Sequence, residues 1–380
     1  MALDACKLPP KEGGAVNWQA KWIWLRGEER PRNFFAMFRR TFRAPRNVES
    51  ARLAITADSR YVLYVNGERI GQGPPRSFPW RQNFDVYDVA PYLRPGRNVI
   101  AVLVHHYGHS TFQYIEGRGG LLCQLDIETP RGTLTIGTDR NWRVSSCGAF
   151  TRFVPRISVQ QGWEEQFDAR KWPEGWTEAD FDDSGWERAV EIGEPGCEPW
   201  TELVERDIPF QTDEEVAPTR VISVEVVRPI LYQWTFDLEA AFMPGTFDQN
   251  HKTIRGFLLL EIRAERAERV RMRRAHVLGR LKFNGEEAPA ADGTALEFVE
   301  GRNVLLFDVS GTYHLPQFSI GLECAQRLRL TKALAITADD DETFRRIWET
   351  GGLGRLPKGL ARPLPREAIA EVDVWTKTAW

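Results

Sequence analysis

No stretch of this chain approaches the roughly 18 consecutive apolar residues of a membrane helix, so neither a membrane span nor a membrane partner is expected. The first residues, MALDACKLPPKEGG, lack the apolar core of a secretory signal. Cysteine is sparse and odd in number, with five thiols (Cys6, Cys123, Cys147, Cys197, Cys324), none at CxxC or metal-ligand spacing. A reducing, cytoplasmic setting without metal or other cofactor is the expectation. A surplus of positive charge is missing too. The formal net charge is −3, which removes the electrostatic case for a nucleic-acid partner. Phosphate-cradling glycine loops and Ser/His/Asp constellations are absent. Helical periodicity is scarce: one segment alone, Phe344, Ile347 and Trp348 behind Asp339-Asp340-Asp341, has the spacing and N-cap of a helix start.

What the chain has is tryptophan, turns and alternation. Fourteen Trp in 380 residues is a high count, and most sit beside turns rather than at helical spacing. Packing in a β core accounts for most of them, and sugar-binding surfaces use the same residue. Residues 51–104 organise the first half. Leu53 and Ile55 alternate with Arg52, Ala54 and Thr56, as in a half-buried strand. Tyr61, Leu63 and Val65 alternate up to Asn66-Gly67, the dipeptide suited to a type I′ hairpin. Val99 to Val104 is apolar throughout, the pattern of a strand covered on both faces. Asn33–Phe42 reads as an earlier strand. Leu121, Cys123, Leu125 and Ile127 give another, and Thr129-Pro130-Arg131-Gly132 turns it back. Cys123 is expected in the core, and 137–144 is expected to continue as strand.

Residues 161–190 hold acidic and aromatic residues without regular period and read as a meander closing one side of the first domain. Prolines 195, 199, 209 and 218 mark a boundary. A second β-rich block follows, with Val221–Val227, Phe257–Ile262 and Val304–Val309 as strands. It echoes the first: Asn66-Gly67 with Gly96-Arg97-Asn98-Val99, then Asn284-Gly285 with Gly301-Arg302-Asn303-Val304. The arginines between 261 and 276 interleave with Glu261, Glu265 and Glu268, as on a solvated strand face or short helix.

Several fragments together resemble the N-terminal β-sandwich region of bacterial α-L-rhamnosidases and their relatives. They are Leu53–Gly67 with DVYDVAPYLRPGRNVIAVLV, Gly137-Thr138-Asp139 with Trp142, Glu165–Arg170, Asp182-Asp183-Ser184-Gly185-Trp186, and Arg206-Asp207-Ile208-Pro209. The resemblance implies an all-β fold: two galactose-binding-like jelly-roll sandwiches plus a short helical stub. The expected layout is a flexible N-terminus (1–17), a first sandwich (18–198), a linker (199–218), a second sandwich (219–338), and a helix and tail (339–380). It also implies glycoside hydrolase chemistry: terminal α-L-rhamnosides hydrolysed with inversion, in a helical barrel that follows the β domains. Pro363-Leu364-Pro365-Arg366-Glu367 with Asp373 is a degraded form of the stretch that opens that barrel. Arg362 stands where an aspartate is expected. The residues after 340 are too few for such a barrel, so this chain alone is expected to be inactive and to lack catalytic residues.

Three constellations remain. Glu164, Glu165 and Asp168 form either paired carboxylates or, with Arg170, a turn held by salt bridges. His105, His106 and His109 lack a third metal ligand of usual type, and local hydrogen bonding is the simpler reading. Trp80, Arg81, His105, His106, Tyr107, Tyr114 and Arg118 offer aromatic faces and planar polar groups that suit a pyranose ring. A carbohydrate, rhamnoside-like, is the expected partner of that patch; the same residues equally suit docking against a barrel. A free-standing sugar-binding protein and an inert structural product are the alternatives to a rhamnosidase scaffold.

Overall fold

A computed structural model describes residues 16–154, 156–157, 160–212, 216–224, 233–242, 254–275, 279–311, 317–337, 340–354, 356 and 359–371. The chain divides into two units. Unit 1 is Met1–Arg152 with Gln160–Val216, and unit 2 is Phe153–Val159 with Ala217–Trp380.

Unit 1 begins with β1 (Trp22–Trp24), β2 (Phe34–Ala44), β3 (Ser50–Asp58), β4 (Arg60–Val65), β5 (Glu68–Gly73) and β6 (Arg81–Asp88). It continues with β7 (Gly96–His106), β8 (Gly120–Thr129), β9 (Gly132–Gly137), β10 (Arg143–Ser146), β11 (Glu187–Arg188), β12 (Val190–Gly193) and β13 (Glu202–Glu205). Among the described residues these make two sheets, β12-β1-β8-β3-β6-β13 with β9 beside β8, and β11-β10-β2-β7-β4-β5. Neighbours are antiparallel except β13, which runs parallel to β6. Leu53, Ile55, Leu121, Cys123 and Leu125 of one sheet share a core with Phe38, Leu63, Ile100, Val102 and Val104 of the other. A sandwich is the result.

The unbroken apolar run of β7 now has a cause. Ile100, Val102 and Val104 face the core, while Ala101 and Leu103 lie under Trp176 of the 160–186 meander. That meander hangs on Arg39, whose side chain is fully buried. Its Nε donates to Asp183 at 3.0 Å, and its terminal nitrogens donate to the carbonyls of Trp176 and Glu178. The Asp-Asp-Ser-Gly-Trp element is thus an anchor. At the next turn, Asp168 takes the Arg170 guanidinium at 2.8 and 2.9 Å, which lowers the Asp168 pKa. Glu165 contributes nothing to that pair.

Unit 2 contains β14 (Trp234–Asp237), α1 (Leu238–Phe242), β15 (Phe257–Ala264), β16 (Glu268–Ala275), β17 (Leu281–Phe283), β18 (Glu286–Ala288) and β19 (Ala295–Phe298). Then come β20 (Gly301–Asp308), β21 (Gln317–Glu323), β22 (Arg329–Ile336), α2 (Asp341–Glu349), β23 (Ala361–Pro363) and β24 (Ile369–Glu371). The described sheets are β19-β16-β21-β14-β24 and β18-β17-β20-β15-β22-β23, closing on Phe236, Leu258, Leu260, Leu305, Phe307 and Phe318. Asp340 caps α2 by accepting from the Thr343 amide at 2.7 Å. Ile347 and Trp348 then cover Phe257, Leu259 and Leu306 on the outer face of the second sheet.

The sequence echo is a repeated hydrogen-bond device. Asn66 and Asn284 both adopt positive φ, 51° and 49°, at hairpin tips. Asn66 donates to Asn98 at 2.7 Å and accepts from the Val99 amide at 3.0 Å. Asn284 donates to Asn303 at 3.1 Å and accepts from the Val304 amide at 2.7 Å. Each clamp ties a hairpin tip to the turn entering the central strand.

Two expectations need correction. Residues 138–142 form a turn, not strand, because Asp139 accepts from the Asn141 amide at 2.8 Å and bends the chain. Residues 221–224 are not in a sheet: Val221, Ile222 and Val224 are 79%, 88% and 89% exposed, and β-propensity without a neighbouring strand makes no ladder. Residues 225–227 and 1–15, and Asp373, lie outside the described residues. His105 and His106 are the last two residues of β7. The five-residue α1 was not expected, because it is too short to display a helical period.

Candidate functional site

The seven residues singled out lie at one end of the unit 1 sandwich. β3 runs into that end at Asp58, β7 at His106, and β8 and β6 leave it at Gly120 and Arg81. The centre is a residue that sequence reasoning missed. Asp58, 3% exposed, accepts from Tyr114 Oη at 2.6 Å, from Trp200 Nε1 at 3.3 Å, and is bonded to His106 Nδ1 at 3.1 Å. Its signal was faint: a lone acid in Ala57-Asp58-Ser59-Arg60, between two apolar runs. Gly117 lies so close that a Cβ there would stand 2.8 Å from Asp58 Oδ2.

Around this carboxylate four of the expected residues assemble. Tyr107 meets His105 at 4.7 Å and Tyr114 at 5.4 Å between ring centroids, both edge-on, and Tyr114 meets His106 at 6.3 Å. Burial, then the Asp58 charge, pushes the Tyr114 hydroxyl well above its ordinary pKa, so it stays a donor. His105 stacks on Phe35 at 3.9 Å and bonds Asn33 Oδ1 through Nε2 at 2.9 Å. Arg118 stands apart, 3.7 Å from Glu29. The histidines therefore serve the sandwich's internal bonding, and no group of three or more His, Cys, Asp or Glu among the described residues is placed to hold a metal.

Burial pushes the His105 imidazole down to about 3, and the charges of His106 and Arg60 add to this. Between pH 6.5 and 3 the unfolded chain takes up a proton that the folded chain refuses. Stability is then lost as pH falls, by about 2 kcal/mol at pH 5 from this residue, at 1.36 kcal/mol per unit. Urea titrations at pH 7 and pH 5 should show His105→Gln losing about 2 kcal/mol less than the parent; equal losses would exclude this origin.

Trp80 and Arg81 form a second, separate surface. Phe78, Pro79, Trp80 and Arg81 make a tight turn closed by the Arg81 amide on the Phe78 carbonyl at 3.0 Å. The turn brings residues i and i+2 face to face: the Phe78 and Trp80 rings stack at 4.9 Å and 15°. They are 53% and 54% exposed, a preformed aromatic platform. Arg81 pairs with Glu202 at 3.7 Å beside it. Thr201 ties the platform to the Asp58 centre, donating to the Trp80 carbonyl at 3.0 Å next to Trp200. Phe78 was missed, although Phe-x-Trp across a proline turn is a readable signal.

Elsewhere the buried acids are engaged. Asp85 accepts from Tyr61 and Arg206, which explains the Arg-x-Ile-Pro fragment. In unit 2, Glu239 accepts from Arg156 at 3.3 Å.

The geometry defines an all-β chain of two sandwiches, with one aromatic end and buried carboxylates taken up by internal bonds. The chain carries the N-terminal domains of the α-L-rhamnosidase family: the family's N-terminal domain matches residues 46–209, and its domain D2 matches residues 232–347. The fold is similar to that of a GH78 family rhamnosidase of Bacillus sp. GL1, with TM-score 0.82 and 34% identity, covering 94% of this chain and 41% of that one. Over 187 residues the sequence is 29% identical to an α-L-rhamnosidase of Streptomyces avermitilis, covering 48% of this chain and 15% of that protein. Over 201 residues it is 29% identical to one of Formosa agariphila, covering 45% and 20%. The chain thus spans a fifth or less of these two relatives' lengths.

Proposed function

We propose that this chain is the non-catalytic β-sandwich portion of an α-L-rhamnosidase-like glycoside hydrolase, a scaffold with a carbohydrate-docking platform at Phe78 and Trp80. The observation that supports the first part is the fate of the acids. Inverting hydrolysis needs two carboxylates roughly 6.5–9.5 Å apart across a water-filled gap, one protonated and one free. Asp58, Asp85 and Glu239 are instead buried and bonded to tyrosine, tryptophan, histidine or arginine. The whole enzyme, in this reading, hydrolyses terminal α-L-rhamnosides with inversion, using carboxylates from a helical barrel beyond the two sandwiches.

The stacked rings favour the carbohydrate part. A flat apolar platform edged by Arg81 and Glu202 matches a pyranose, with its C–H face and hydroxyl rim. Isothermal titration with L-rhamnose and rhamnosyl disaccharides tests this. The expected result is millimolar affinity, weakened about tenfold by Trp80→Ala, as loss of an aromatic contact worth up to about 1.5 kcal/mol implies. Absence of heat would leave the scaffold role and remove the sugar-docking role.

A further inference from the structure

A different feature lies in unit 2, at the end of the sheet away from α2. A cavity of about 260 Å³ is lined by Arg263, Ala264, Glu265, Glu300, Gly301 and Arg329. Strand register puts three arginines in one row across neighbouring strands: Arg302 opposes Arg263, and Arg263 opposes Arg329. Like charges directly opposite each other destabilise a sheet. Arg302 is relieved by Glu261, at 2.8 Å. Among the described residues Arg263 and Arg329 have no such relief, since neither forms an ion pair.

The walls are pinned. Gln326 Oε1 accepts from the Glu265 and Arg266 amides at 2.7 and 3.0 Å, and its Nε2 donates to the Arg266 carbonyl at 2.8 Å. Across the cavity, Asn303 accepts from the Val299 amide at 2.9 Å and donates to the Val299 and Gly301 carbonyls at 2.8 and 3.3 Å. Both turns are held before any ligand arrives, which lowers the entropic cost of binding.

We propose that this cavity is a binding site for an acidic monosaccharide unit, a hexuronate. Its volume suits one sugar ring rather than a polymer surface. Arg263 and Arg329 supply forked donors for a carboxylate. Glu265 and Glu300, in the same lining, repel a polyanion but accept from ring hydroxyls. A ligand carrying one carboxylate and several hydroxyls satisfies both pairs. The proposal does not depend on the platform of unit 1.

The test is calorimetric titration of the whole chain with D-glucuronate, D-glucose, acetate and L-rhamnose. Glucuronate should bind in the millimolar range. Glucose, acetate and rhamnose should each bind at least fivefold more weakly at this site. Arg263→Gln and Arg329→Gln, both at exposed positions, should weaken glucuronate at least fivefold with the thermal melt unchanged or raised, since each substitution relieves the like-charge row. Unit 1 supplies a control: Arg97 opposes Arg43 in the echoed position, and Arg97→Gln should leave the affinity intact. Acetate binding as tightly as glucuronate would mean an adventitious anion only. That result, affinity unmoved by both variants, or no glucuronate heat would each overturn the proposal.

Discussion

Replacing Arg39 with alanine is expected to cost unit 1 about 3–5 kcal/mol, the range for removing one partner of a buried ion pair. The guanidinium is fully buried, bonded to Asp183 and to the carbonyls of Trp176 and Glu178, with its plane 4.9 Å over the Phe181 ring. Truncation strands those acceptors and opens a gap beneath Trp176. Total stabilities of domains run about 5–15 kcal/mol, so the loss is a large fraction. Urea denaturation should show it, with accelerated hydrogen exchange concentrated in residues 176–186. Arg39→Lys should recover only part of the loss, since an ammonium lacks the fork that serves several acceptors at once. A loss below about 1 kcal/mol would mean the meander is held by its aromatic contacts alone.

Asp58→Ala is the second large effect. It leaves the hydroxyl of Tyr114 and the indole N–H of Trp200 without their carboxylate acceptor, while His106 Nδ1 keeps only the main-chain carbonyl of residue 58, at 3.2 Å. Each hydrogen bond to a charged group is worth about 1.5–3 kcal/mol, so a loss of about 3 kcal/mol or more is expected. Unlike the Arg39 variant, this one should loosen residues 107–119 and leave 176–186 protected. Tyr114→Phe should cost roughly half as much, because His106 and Trp200 keep their partner. Equal protection of both segments in Asp58→Ala would show that the carboxylate does not hold this end together.

The two variants also mark what the sequence could convey. Alternation and turn chemistry act between neighbours, so β3, β4, β7 and β8 and both Asn-Gly tips were legible from residues a few positions apart. The echo of Asn66 with Asn98 and Asn284 with Asn303 was visible as a string and became intelligible as a clamp. Arg39 and Asp58 were silent because their partners are 137 to 144 and 48 to 142 positions away. Residues 105–118 are grouped by their composition, but His105 and His106 bond inward, to Asn33 and Asp58. Trp80 stands out in the sequence without Phe78, whose ring stacks on it. Val221, Ile222 and Val224 misled because strand propensity is realised only beside another strand.

In the proposed reading, the described sandwiches supply structure and a docking surface but no hydrolytic acid pair. Release of the chromophore from an aryl α-L-rhamnoside by the purified chain tests it most directly. The predicted trace is indistinguishable from buffer across pH 4–8. Sustained turnover that survives purification and is abolished by neutralising an acid within residues 16–371 would contradict it.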